Sequence, residues 1–133
     1  MRWMLDGVAR LADVRYVLAV TADGLLQAHS DGIGRDAADK CAAALTGVQS
    51  LSRSLAEFCA DGPQHPQPTW GQTMVEFDSG YVLIAAVGQG TYLGVSCTAA
   101  ADLSTVTYEM HQLVSRMGRE MTSSPRRDTA PTS

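Results

Sequence analysis

The chain is poor in charge, and its charge is unevenly placed. Charged residues make up 18% of its 133 residues, against about 25% in an average soluble domain. No Lys or Arg occurs between Arg53 and Arg116. A nucleic-acid-binding surface needs clustered cations to neutralise phosphates. With a formal net charge of −4, that class is set aside. No apolar run approaches the ~20 residues that span a bilayer. No basic segment followed by an apolar stretch and a cleavage site opens the chain. The expectation is a cytoplasmic protein, or one held at a membrane through partners rather than by direct insertion.

Sites for chemistry are missing too. The three cysteines, Cys41, Cys59 and Cys97, form no CxxC pair and no metal-ligand spacing, so they read as structural thiols. Cys41 and Cys59 fall on the apolar side of a predicted helix, where a free thiol behaves as a small hydrophobe. His29, His65 and His111 have no carboxylate or thiol at motif spacing, and HExxH is absent. Gly94-Val95-Ser96 lacks the GxSxG elbow of a serine hydrolase. Gly88-Gln89-Gly90 lacks the third glycine of a dinucleotide loop, and no Walker-type phosphate loop occurs. Glu76 and Asp78 read as strand-end solvation. The expectation is no enzyme, no cofactor and no metal.

What is present is a regular succession of elements. Trp3, Met4, Val8 and Leu11 (or Ala12) recur at helical spacing, so 2–12 is a short amphipathic helix. Residues 14–21 are a strand rich in Val and Tyr, Ala22-Asp23-Gly24 a tight turn, and 25–30 the return strand. One long helix is expected over 36–59, with Asp36 and Asp39 in its first turn, where negative charge suits the helix dipole. It stops at Asp61-Gly62-Pro63, and Pro63, Pro66 and Pro68 keep 61–69 extended. Three strands follow at 69–78, 81–87 and 91–98. Val82-Leu83-Ile84-Ala85-Ala86-Val87 is apolar without alternation, which marks a sheet covered on both faces. A last helix spans 102–121, its buried side marked by Leu103, Val106, Met110, Leu113 and Met117. Residues 123–133, rich in Ser, Thr and Pro, read as a disordered tail, which leaves 1–122 as the domain.

Several short motifs sharpen this order of elements, αββαβββα. They are Ala22-Asp23-Gly24-Leu25-Leu26 in the first hairpin, and Ala43, Gly47 and Leu51 in the small-residue helix. Gln72-Thr73-Met74-Val75-Glu76 leads to Gly80-Tyr81, and Tyr108-Glu109-Met110 sits in the last helix. In this order and spacing, over 2–122, the chain resembles the Roadblock/LC7 domain family. It is most like actinobacterial members, which are encoded beside a sensor-kinase-like protein and a Ras-like GTPase. The loop 62–68 departs from the family in being longer and richer in proline. The resemblance implies an α+β fold of the roadblock/profilin type. Its five-stranded antiparallel sheet carries the long helix on one face and the two terminal helices on the other. It also implies a homodimer without catalytic residues, serving as adaptor or regulator of a small Ras-like GTPase. The alternative is a small-molecule-sensing or purely structural dimerisation module. Sensing would need a cavity with convergent polar groups.

At 100° per residue, Cys41, Leu45, Val48, Ser52, Leu55 and Cys59 fall on one side of the long helix, flanked by Leu51 and Phe58. That side is expected on the sheet. Ala43, Gly47, Ser50 and Ser54 form a second stripe, roughly opposite. Gly costs about 1 kcal/mol relative to Ala in a helix interior, and close approach of a second helix would offset that. An incidental Gly in an exposed helix is the other reading. Taken with the resemblance, the stripe is expected at a dimer interface. The strand over 69–77 ends the meander, so its edge amides need a partner. Gln72, Thr73, Met74 and Val75 are therefore expected to pair with a second copy about a two-fold axis, with an edge covered by the Pro-rich loop as the other reading. Asp39, Gln49, Arg53 and Glu57 are left as candidate GTPase contacts. Arg53 as a catalytic finger in trans is weighed against a solvated Arg beside Glu57, and the latter is preferred.

Overall fold

The computed structural model describes residues 2–64, 66–88 and 90–129. The elements follow as α1 (Arg2–Ala9), β1 (Val14–Thr21), β2 (Leu26–His29), α2 (Arg35–Arg53), α3 (Ala56–Cys59), β3 (Gln72–Phe77), β4 (Gly80–Ala86), β5 (Thr91–Thr98) and α4 (Leu103–Thr129). The strands form one five-stranded sheet in the order β2-β1-β5-β4-β3, with every pairing antiparallel. The hairpin between β1 and β2 closes as expected. Gly24 takes φ 90° there, which costs Gly nothing, and the Thr21 hydroxyl donates to the Asp23 carboxylate. At the start of β4, Gly80 lies so close to the Cys97 carbonyl that a side chain there would collide with backbone.

Alternation along the central strands sorts the side chains into two layers. Val17, Ala19, Leu83, Leu93 and Val95 point to one face, where they meet Leu5 and Val8 of α1 and Val106, Met110 and Leu113 of α4. Leu18, Val20, Ile84 and Tyr92 point to the other, where they meet Ala38 and Ala42 of α2. Two-sided cover explains why β4 and β5 carry apolar runs without polar alternation.

Several boundaries differ from expectation. The long helix is interrupted: α2 ends at Arg53, and α3 begins at Ala56. Serines cause the break. The Ser52 hydroxyl donates to the Val48 carbonyl at 2.8 Å and the Ser54 hydroxyl to the Leu51 carbonyl at 2.7 Å. Meanwhile the Ser54 and Leu55 amides bond three residues back. Side-chain competition of this kind tightens and ends α-helices. The first helix stops at Ala9, and Asp13 at φ 70° redirects the chain into β1. The third strand starts at Gln72, later than the 69 expected. In α4 the helical backbone continues to Thr129, through the Ser/Thr/Pro-rich segment read as a tail. Met1, His65, Gln89 and 130–133 lie outside the described residues.

Candidate functional site

The helix α2 seats on the sheet by its smallest residues. Ala38 and Ala42 are wholly buried, Gln49 is nearly so, and Leu45 and Val48 are partly covered. This corrects the expected stripe. Cys41, Leu55 and Cys59 are exposed, as are the flanking Leu51 and Phe58. The buried row is rotated by about one row of side chains from the most hydrophobic one. Gly94, at the centre of β5, explains the fit. A Cβ added there would come within 2.6 Å of Leu45 Cδ1. Gly94 is therefore a socket for Leu45, and Ala38 and Ala42 allow the helix to lie low.

Seated this way, α2 packs chiefly on β1 and β2. The α2 face of β4 and β3 is left under-covered, and an apolar cleft of about 570 Å³ opens there. Its walls include Cys41, Ala44 and Val48 from the helix and Val75, Phe77 and Val82 from the sheet. The same flank of the helix continues outward. Leu51 is 71% exposed and Leu55 61%, and Phe58 of α3 is 92% exposed. Phe77 closes the patch at 56%. Isolated exposed hydrophobics need no explanation, whereas a contiguous patch of large ones marks an interaction surface.

The strand β3 is an edge: it pairs with β4 alone. Thr73, Val75 and Phe77 look toward α2, and Gln72 looks toward α4, where its Oε1 lies 3.1 Å from His111 Nε2. The Thr73 hydroxyl donates to Ser52 Oγ at 2.8 Å and accepts the Trp70 indole N–H at 2.8 Å. Edge strand, helix end and proline loop are thus tied by one hydrogen-bonded chain.

Ala43, Gly47, Ser50 and Ser54 are all exposed, and a Cβ added at Gly47 meets nothing within 4 Å. Their stripe faces away from the sheet and lies apart from the apolar flank. Gln72 and Met74 are exposed, and Thr73 and Val75 half-buried. Of the proposed GTPase contacts, Asp39, Arg53 and Glu57 are exposed. Gln49 is not on that surface: only 5% of it is exposed. It sits in the row of Ala38, Ala42 and Leu45, although a polar amide suggests a wet face. Asp39 is engaged by Arg35 Nε at 3.3 Å.

The remaining chemistry is modest. Among the described residues no group of His, Cys, Asp or Glu has the arrangement of a metal site. His29 Nδ1 lies 2.9 Å from its neighbour's carbonyl, Ser30 O. Cys97 is buried in the α1/α4 layer. Burial, helped by the Asp13 carboxylate nearby, pushes its thiol above the ordinary range.

The model of the Roadblock/LC7 domain family matches residues 3–96. Among solved structures, a Roadblock/LC7 domain from Streptomyces avermitilis superposes with a TM-score of 0.80 at 29% identity, over 92% of this chain and 98% of that one. MglB from Myxococcus xanthus gives 0.74 at 13% identity, over 91% of this chain and 90% of that one. The gliding protein MglB from Thermus thermophilus gives 0.74 at 16%, over 88% and 84%. The two MglB likenesses speak to the fold alone. No curated protein sequence matches.

Proposed function

The chain belongs to the Roadblock/LC7 domain family, and from that premise we propose that it is a non-catalytic, homodimeric adaptor or regulator of a small Ras-like GTPase. The observation that carries the dimer is the open apolar flank beside an unpaired strand edge. Phe77 lines the cleft between α2 and β3, and Leu51, Leu55 and Phe58 stand exposed farther along α2 and α3. Burying one such side chain contributes about 1.5–3 kcal/mol. A two-fold copy would place its own α2 flank in the cleft and pair β3 with β3, so Gln72, Thr73, Met74 and Val75 lie on the axis. The helical share of the interface then moves from Ala43, Gly47, Ser50 and Ser54 to the row of Cys41, Leu51 and Leu55. That row is preferred to the small-residue stripe expected from helical spacing, because Leu51 and Leu55 are the larger exposed apolar side chains.

The surface left for a GTPase is the outward face of α2 with Asp39, together with the helix end that exposes Arg53 and Glu57, on either protomer. Partner identity rests on family membership, as does the further suggestion of a sensor-kinase-like protein in the same complex. Among the described residues no helix is long and apolar enough to cross a membrane. A cytoplasmic setting, with any membrane contact made through partners, fits the reading. The test has two arms. Light scattering should give twice the chain mass for the wild type and the chain mass for Leu51→Asp. Pull-down with a Ras-like GTPase from the same genome, loaded with GDP or a GTP analogue, should retain the GTPase in one state. A monomeric wild type removes the first half of the proposal, and no retention in either state removes the second.

A further inference from the structure

A second cleft lies at the C-terminal end of α2 and shares no lining residue with the apolar one. It is framed by that helix end, residues 67–70 before β3, and Gly88 and Gly90 between β4 and β5, and encloses about 680 Å³. Small-molecule sites commonly enclose about 300–1,000 Å³. Its lining is unlike that of the first. Gln49 is 5% exposed, and its side-chain amide meets no hydrogen-bond partner among the described residues. No fully enclosed side-chain N or O there lacks a partner, so the amide must open into the cleft that Gln49 lines. Thr91 borders the cleft from the start of β5. Arg53 borders the same space, and among the described residues no carboxylate pairs with it.

Two aromatic rings complete the wall. Trp70 and Tyr92 meet edge to face with centroids 6.3 Å apart. Both are held from behind: the Trp70 indole donates to Thr73 Oγ1 at 2.8 Å and the Tyr92 hydroxyl to the Ala22 carbonyl at 3.2 Å. The rings are therefore fixed before anything binds, which lowers the cost of ordering a ligand against them.

We propose that this cleft binds a small organic anion carrying a planar, hydrogen-bonding ring, about the size of a nucleoside monophosphate. Each element of that description answers to a side chain. The guanidinium of Arg53 offers paired donors that match a phosphate or carboxylate. The amide of Gln49 offers one acceptor and two donors, which suit the polar edge of a ring such as a nucleobase. Trp70 and Tyr92 offer faces and edges for the ring itself. Leucine at 49 would have packed better under a helix, and Gln49 instead keeps its unsatisfied amide facing open space. The inference goes beyond the GTPase reading and does not depend on it.

The test titrates the full-length, isotope-labelled protein with AMP, GMP, CMP and UMP, and in parallel with adenosine and inorganic phosphate. The readouts are the Trp70 indole N–H and the Gln49 side-chain amide resonances. At least one monophosphate should shift both saturably, with a Kd below about 1 mM. Adenosine and phosphate should each bind about tenfold or more weakly. Arg53→Met and Gln49→Leu should each weaken the monophosphate about tenfold, while resonances lining the apolar cleft stay in place. Arg53 is on the surface, so its variant carries the test should Gln49→Leu fold poorly. The proposal is overturned by the absence of a saturable shift with all four monophosphates, by phosphate alone binding as well as they do, or by unchanged affinity in Arg53→Met. GTPase retention is read in a separate assay, so either idea can fail alone.

Discussion

On one face of the sheet, Leu5, Leu93, Met110, Leu113 and Met117 interlock between strands and two helices with almost none of their surface in water. On the other, Leu18, Val20 and Ile84 meet a single helix that seats through Ala38 and Ala42, and cover ends partway across. The strands are the same; only their alternate side chains differ. What differs is the supply of helix. Two terminal helices span the first face, and one serine-terminated helix leans toward β1 and β2 on the second. A fold can therefore be complete as a hydrogen-bonded sheet and incomplete as a packed one.

The contrast can be broken most forcefully in the closed layer. Leu93→Ala empties a fully buried site on the central strand and should cost about 3 kcal/mol, read as a lower urea midpoint. Next comes the socket. Gly94→Val fills the space occupied by Leu45 and should cost about 1–3 kcal/mol by the same measurement. An unchanged midpoint would mean that α2 is free to lift. On the open flank, Leu51→Asp should leave monomer stability within about 0.5 kcal/mol while abolishing the dimer in light scattering. Gly47→Trp should leave stability unchanged, because nothing in the chain lies within 4 Å of a side chain there, and should leave the mass unchanged if the proposed interface uses the row beside it. A monomeric Gly47→Trp would return the interface to the small-residue stripe.

The smallest expected effect is a titration. The Cys97 thiol is raised by burial in the closed layer, so the folded state holds its proton to higher pH than the unfolded chain does. Its contribution is complete below the ordinary thiol value of about 8.5. It fades as pH rises through the folded value. Between neutral and strongly alkaline pH, wild type should lose more stability than Cys97→Ala, measured by urea unfolding at each pH. Equal losses would mean that the layer admits water.

Strands β1 and β5 are legible to the residue, because each is a Val/Tyr-containing run with a turn glycine at one end, Gly24 after β1 and Gly90 before β5. The two-sided cover follows from the apolar run of β4. The seat of α2 is not legible from hydropathy. Its buried row contains Ala38, Ala42 and Gln49, and the more hydrophobic Cys41, Leu51 and Leu55 lie in the row beside it. A hydropathy criterion picks the most apolar stripe, whether or not the chain's own sheet covers it. Gln49 reads as surface because polar side chains usually are. Its spacing from Ala42 and Leu45 is the signal that places it inside. The second cleft joins Gln49 and Arg53 to Trp70, Thr91 and Tyr92 across long sequence separations, and no spacing rule connects them.

The open face has a consequence measured in abundance rather than geometry. Whatever covers it binds the folded chain and not the unfolded one, so cover adds stability by mass action, about 2.7 kcal/mol at a hundredfold excess over Kd. At low copy number the cleft stays wet, and the protein has only its closed layer to rely on. At high copy number, or beside a well-supplied partner, the same sequence is markedly more durable. In the proposed dimer, the leaning helix thus turns the amount of protein in the cell into a determinant of how long each molecule survives.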